Sequence, residues 1–100
     1  LEIRFKNRKL EKQYRDVKVA EKAYGKQVAR RYIQRVTIIK QARSFDELYK
    51  ISVLKLHPLK GEREGEYAIA LTGFYRLIIR NVGERFDIVR IEEVSKHYGD

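Results

Sequence analysis

"EYAIALTGFYRLIIRNVGERFDIVRIEEV", Glu66–Val94, decides the fold. Apolar residues recur here at every second position, the period of a half-buried strand. Tyr67, Ile69 and Leu71 share one face of the first run. Tyr75, Leu77 and Ile79 share one face of the second, with Arg76, Ile78 and Arg80 on the other. "NVGE" reads as a turn and "RFDIVRIEEV" as a further strand. Short turns between alternating runs favour antiparallel pairing. "SVLKL", Ser52–Leu56, also alternates and is expected to be a strand.

Upstream of this the period lengthens. "LEIRF", Leu1–Phe5, alternates and reads as a first strand. From Asn7, a plausible N-cap, to about Tyr24 the spacing of Leu10, Tyr14 and Val17 predicts helix, with a break expected at Gly25 or within Asp16–Val19. Lys26–Ala42 is the clearest helix: Val28, Tyr32, Val36 and Ile39 form a continuous apolar stripe. Ser44 and Glu47 carry the capping-box spacing of a short helix. The expected architecture is a single α+β domain over residues 1–100. The N-terminal strand and helices pack on one face of a curved antiparallel sheet, leaving the other face available.

Charge is unevenly divided. Residues 1–50 hold 15 Lys+Arg against 6 Asp+Glu, while residues 51–100 hold 8 of each, so the entire +9 excess lies in the first half. Such a half suits a polyanion, most simply nucleic acid. On the long helix, Lys26, Arg30, Arg31, Arg35 and Lys40 are the candidate RNA-binding cations; the competing reading is an ordinary solvated face. The chain has no cysteine, which excludes disulfides and thiolate metal sites. No apolar run approaches the roughly 18 residues of a membrane span. No signal-peptide pattern opens the chain, and a soluble cytoplasmic protein is expected.

Chemistry concentrates just before the strands, in "KLHPLKGEREGEYAIAL", Lys55–Leu71. One of only two histidines, His57, sits beside the single proline, with Lys60 and Arg63 following. The glycines lack the Gly-Lys-Ser/Thr ending of a phosphate loop. His57 and His97 are far apart in sequence, and Glu62, Glu64 and Glu66 lack metal-ligand spacing. No metal or cofactor is therefore expected. A cationic set with histidine and tyrosine suits RNA cleavage, because the substrate brings its own nucleophile, the ribose 2′-hydroxyl. The protein need only move protons and hold charge on the phosphate.

The stretch "KLHPLKGEREGEYAIAL", with "FYRLIIR" after it, resembles the RelE superfamily of bacterial toxins, in particular its HigB-like branch. The likeness is strongest over His57-Pro58-Leu59-Lys60-Gly61 to Gly65 and covers the second half better than the first. It implies a RelE-like fold and a toxin of a type II toxin–antitoxin pair. Such toxins enter the ribosomal A site and cut messenger RNA there without a metal. The implied partner is a HigA-like helix-turn-helix antitoxin, with operon DNA touched only through the complex; no membrane is involved. By the same resemblance His57 is a base or phosphate-orienting group, and Lys60 and Arg63 face the RNA backbone. Arg76 stabilises transition-state charge, and His97 and Tyr98 serve proton transfer and base stacking. The sequence departs from the branch at Leu71-Thr72-Gly73, where a further arginine is usual, and in the order of His97 and Tyr98. Two alternatives stand beside this reading: a ParE-like gyrase inhibitor on the same fold, and a non-enzymatic basic nucleic-acid-binding module. The purely structural alternative for Arg76 is a pair with Glu92 or Glu93 across the sheet.

Overall fold

Asn7 starts the helical layer. Its backbone is extended and its Oδ1 accepts from the Leu10 N–H at 2.9 Å, opening α1 (Arg8–Arg15). Asp16 ends that helix and caps the next, α2 (Val17–Tyr24), accepting from the Lys18 N–H at 3.0 Å. Gly25, at φ +84°, then turns the chain in a conformation that L side chains avoid. Beyond it runs α3 (Lys26–Gln41), whose stripe of Val28, Tyr32, Val36 and Ile39 is buried as its spacing predicts. Each such burial contributes on the order of 1.5–3 kcal/mol. The Tyr32 hydroxyl donates to the Leu10 carbonyl at 2.7 Å, locking α3 to α1, and burial pushes the phenol's pKa well above its ordinary value. Ser44 caps the short α4 (Phe45–Tyr49) by accepting from the Glu47 N–H; the Glu47 carboxylate reaches back to the Arg43 N–H.

The computed structural model describes residues 1–96. Its five strands are β1 (Glu2–Phe5), β2 (His57–Pro58), β3 (Glu66–Ala70), β4 (Tyr75–Val82) and β5 (Ile88–Lys96), in the order β1-β5-β4-β3-β2. β3, β4 and β5 pair antiparallel as their alternating runs predict, and β2 adds to β3 in the same sense; β1, expected in an antiparallel sheet, instead joins the edge in parallel with β5. The helices cover one face. There Ile69, Leu77, Ile79, Val89 and Ile91 meet the α3 stripe in the core, with Leu48 and Leu54. Among the described residues no helix is long and apolar enough to cross a membrane.

"SVLKL" is not a strand. Ser52–Leu54 forms a 3₁₀ turn that buries Leu54, and Lys55 adopts φ 49°, which breaks any extended run. Pairing begins only at His57.

Strand register sets the open face. His57 pairs with Ala68, Ala68 with Ile78, and Ile78 with Glu93; Ala70 pairs with Arg76, and Arg76 with Ser95. Paired residues project to the same side, so this row lies opposite the helices. The register shifts between Ile78 and Ile79, so Glu92 is the extra residue of a bulge.

Candidate active site

Two of the expected site residues come together. His57, on β2, and Arg76, at the start of β4, line one cleft of about 370 Å³ with Lys55, Ala68, Ala70, Thr72, Gly73 and Tyr75. The His57 ring is exposed, and its Nδ1 lies 3.1 Å from the Lys55 carbonyl oxygen. An Nδ1–H donating there leaves the Nε2 lone pair facing outward as a proton acceptor. Lys55 offers that carbonyl because of its left-handed backbone, a strained conformation for a non-glycine residue.

Arg76 is half-buried, and its Nε is sealed from solvent with no hydrogen-bond partner among the described residues. Arg76 stands opposite Ser95, whereas Glu92 is taken by Arg80 (3.0 Å) and Arg90 (2.6 Å). The expected alternative, Arg76 paired with Glu92 or Glu93, is thus corrected: Glu93 is claimed by Arg63.

Arg63 does not stand free. Its Nε donates to Glu66 Oε1 at 2.6 Å and its Nη2 to Glu93 Oε1. Those bonds raise the guanidinium's pKa, and Arg63 holds the Glu66 carboxyl below its ordinary value against the opposing effect of burial. Glu66 also lies 3.9 Å from Arg80. Gly65 makes this lattice fit: it sits at φ +94°, and a Cβ there would stand 3.1 Å from Arg80 Nη1. Lys60 is exposed and lines an adjoining cleft of about 530 Å³ with Pro58, Gly61, Glu64 and Glu66. His97 and Tyr98 lie outside the described residues. Of β5, Lys96 pairs with Tyr75, a wall of the His57 cleft, and its Nζ stands 5.9 Å from that ring's centroid.

The cations of α3 divide. Lys26, Arg30 and Lys40 are exposed. Arg31 and Arg35, expected on the solvated face, instead turn toward the sheet. Arg31 Nη1 donates to the Leu71 carbonyl at 2.9 Å, and Arg35 Nε to the Ala70 carbonyl at 3.1 Å. Arg35 is 2 % exposed, and burial, with Arg31 beside it, lowers its pKa. Both satisfy carbonyls where β3 ends; Arg35 is buried in doing so, while Arg31 stays half-buried.

Sequence reasoning missed the remaining wall, Lys55, Thr72, Gly73 and Tyr75. The signal for it was the hairpin between β3 and β4. Thr72 Oγ1 accepts from the Phe74 and Tyr75 N–H groups at 3.3 and 3.2 Å, a side-chain turn that "TGF" encodes. Phe74, at that tip, is 65 % exposed. Among the described residues no three His, Cys, Asp or Glu converge as metal ligands.

No family model and no curated protein matches the chain. Solved structures do. A YoeB/ParE toxin from Agrobacterium tumefaciens aligns with a TM-score of 0.65 at 14 % identity, covering 98 % of this chain and 100 % of that one. The YoeB–YefM complex from Staphylococcus aureus gives 0.62 at 17 %, covering 98 % of each. YafQ from E. coli gives 0.56 at 19 %, covering 95 % of this chain and 91 % of that one. The fold is therefore that of YoeB- and YafQ-like toxins, helices packed on a five-stranded sheet.

Proposed function

We propose that the chain is the toxin of a type II toxin–antitoxin pair and cuts messenger RNA on the ribosome. The observation that carries this is the pairing in one cleft of an outward-facing imidazole with an arginine whose Nε has no partner among the described residues. No carboxylate neutralises Arg76 among the described residues, and beyond the sealed Nε its guanidinium carries N–H donors of the kind that match phosphate oxygens. His57 Nε2 takes the proton from the ribose 2′-hydroxyl. The 2′-oxygen attacks phosphorus, the bond to the 5′-oxygen breaks, and Arg76 holds the charge on the equatorial oxygens. The products are a 2′,3′-cyclic phosphate and a 5′-hydroxyl, whose proton comes from His97 or Tyr98. No metal enters this scheme. General acid–base help typically contributes about 10²–10⁴-fold, and preorganised charge around the phosphate adds to it.

Likeness to toxin structures supports the toxin role, and one of those structures is a complex, in keeping with an antitoxin partner. A HigA-like helix-turn-helix protein is the proposed partner, in the cytoplasm. Lys26, Arg30 and Lys40 are the α3 cations left to meet ribosomal RNA. One neighbour carries the ParE name, which keeps gyrase inhibition as a second reading of the fold; the His57–Arg76 cleft favours the nuclease.

Primer extension on messenger RNA in a translation extract tests the proposal. Codon-positioned cuts are expected from the wild type and not from His57→Ala or Arg76→Ala proteins that still bind ribosomes. Inhibition of DNA supercoiling by gyrase without any cut would overturn it.

A further inference from the structure

The positive charge of the first half remains to be placed, because α3 buries Arg35 and half-buries Arg31. It gathers elsewhere. Between β1 and α1 lies an open cleft of about 520 Å³ whose lining includes Arg4, Lys6, Arg8 and Arg15. Continuing along α1, Arg8 and Arg15 with Lys12 line a second hollow of about 540 Å³. Two of these cations are already paired, Arg4 with Glu2 at 2.7 Å and Arg15 with Glu11 at 3.0 Å, and Asp16 caps α2. Arg8 and Lys12 are exposed, with no carboxylate within 4.0 Å among the described residues.

We infer that this β1–α1 cleft is a second docking surface, one that takes the phosphate backbone of a folded RNA. Naming RNA as the polyanion rests on the ribonuclease reading; the surface itself rests on charge and shape. A protein partner would need apolar anchors buried at the centre of the contact. None of the exposed aromatic residues Tyr49, Phe74 and Phe86 lines the cleft, and Ile3 and Phe5 pack against the core. Phosphates need only spaced cations.

Position gives the cleft a purpose. β1 and β2 are opposite edges of the sheet, four strand spacings or about 19 Å apart. The His57 cleft lies at the β2 edge and the basic cleft at the β1 edge. A folded RNA reaches both, whereas the nucleotide being cut reaches one. The basic cleft therefore contributes sequence-blind affinity and orients the sheet over the message, without touching the reacting atoms.

Fluorescence anisotropy with a labelled RNA duplex, across a salt series, tests this. An Arg8→Glu/Lys12→Glu protein is expected to bind at least tenfold more weakly. Its log K against log salt slope should be shallower by about 0.9 for each phosphate it no longer neutralises. A carboxylate at position 8 suits the first turn of α1, whereas one at position 12 falls in its last turn beside Glu11 and Asp16; Arg8→Gln/Lys12→Gln, which adds no acid, is the companion variant, with circular dichroism to check the fold of both. Unchanged affinity and slope in the α1 variants would overturn the dock, as would loss of binding to polyglutamate alone. If duplex binding falls as expected while not even the wild type cuts a message, the dock stands and the nuclease reading fails. If the α1 variants bind the duplex and cut like the wild type, the dock fails and the nuclease stands.

Discussion

Arg63 pairs with Glu93, 30 residues further along the chain, reaching from the turn before β3 onto the open face of β5. Its second arm holds Glu66. Two arms of the Arg63 guanidinium are thus committed to carboxylates. Three arginines and three glutamates, Arg63, Arg80, Arg90, Glu66, Glu92 and Glu93, thereby fill the middle of the open face. Arg76 is left as the half-buried guanidinium on that face with nothing to neutralise it among the described residues.

Arg63→Ala should therefore lower stability. Its guanidinium is 39 % exposed, so the cost is set near the low end, about 1 kcal/mol. For a domain of this size that is a fall in Tm of about 4–8 °C. Thermal melts measure it; an unchanged Tm would mean that the ion pairs contribute nothing in solution.

The same pair gives a pH dependence. Folding depresses the Glu66 pKa from an ordinary 4.5, chiefly through the Arg63 hydrogen bond. The stability this contributes is present in full above that ordinary value and is lost as pH falls through the depressed one. Urea melts from pH 7 to pH 3 should show the gap between wild type and Arg63→Ala closing at the acid end. A gap that widens there would contradict the assignment.

Tyr32→Phe isolates one buried hydroxyl. The Leu10 carbonyl loses its 2.7 Å donor while the ring still fills the core. A cost of about 1–2 kcal/mol is expected in chemical denaturation. The m-value should not change, because the surface exposed on unfolding is the same.

Arg35→Met separates bracing from nucleic-acid binding. The buried stem is kept and the bond to the Ala70 carbonyl is removed. Stability should fall by about 1–2 kcal/mol. The salt slope of RNA binding should stay as in the wild type; a shallower slope would restore Arg35 to the set that meets RNA.

Arg76→Lys tests the fork. Lysine keeps the charge but not the parallel donors. Single-turnover cleavage is expected to slow by about 10²–10³-fold, the scale of losing one preorganised donor. The ribosome affinity should be little changed.

The strands of residues 66–94 and helix α3 were legible because their apolar residues keep one period and one face is buried. Ser52–Leu56 misled for a physical reason. A 3₁₀ turn burying Leu54, followed by a left-handed Lys55, places Leu54 and the half-buried Leu56 inward at the same two-residue spacing as a strand. His57 and Arg76 were visible as residue types, but their sharing a cleft depends on β2 pairing with β3 and β3 with β4. The fates of Arg31, Arg35 and Arg63 were not legible. Each is decided by a carbonyl or carboxylate at least 30 positions distant in one of its bonds, and for Glu93 by a bulge that no local pattern announces.

The parallel seam between β1 and β5 ties Glu2 to Ile88. Contacts of such span form late, after most of the chain's closure entropy has been spent. A nascent polypeptide on its ribosome has β1 and β4 waiting on either side of an empty slot. At about 5–20 residues per second, seconds pass before residues 88–96 clear the exit tunnel and complete the sheet. Until residues 88–96 are in place the sheet lacks β5, the strand on which both β1 and β4 pair.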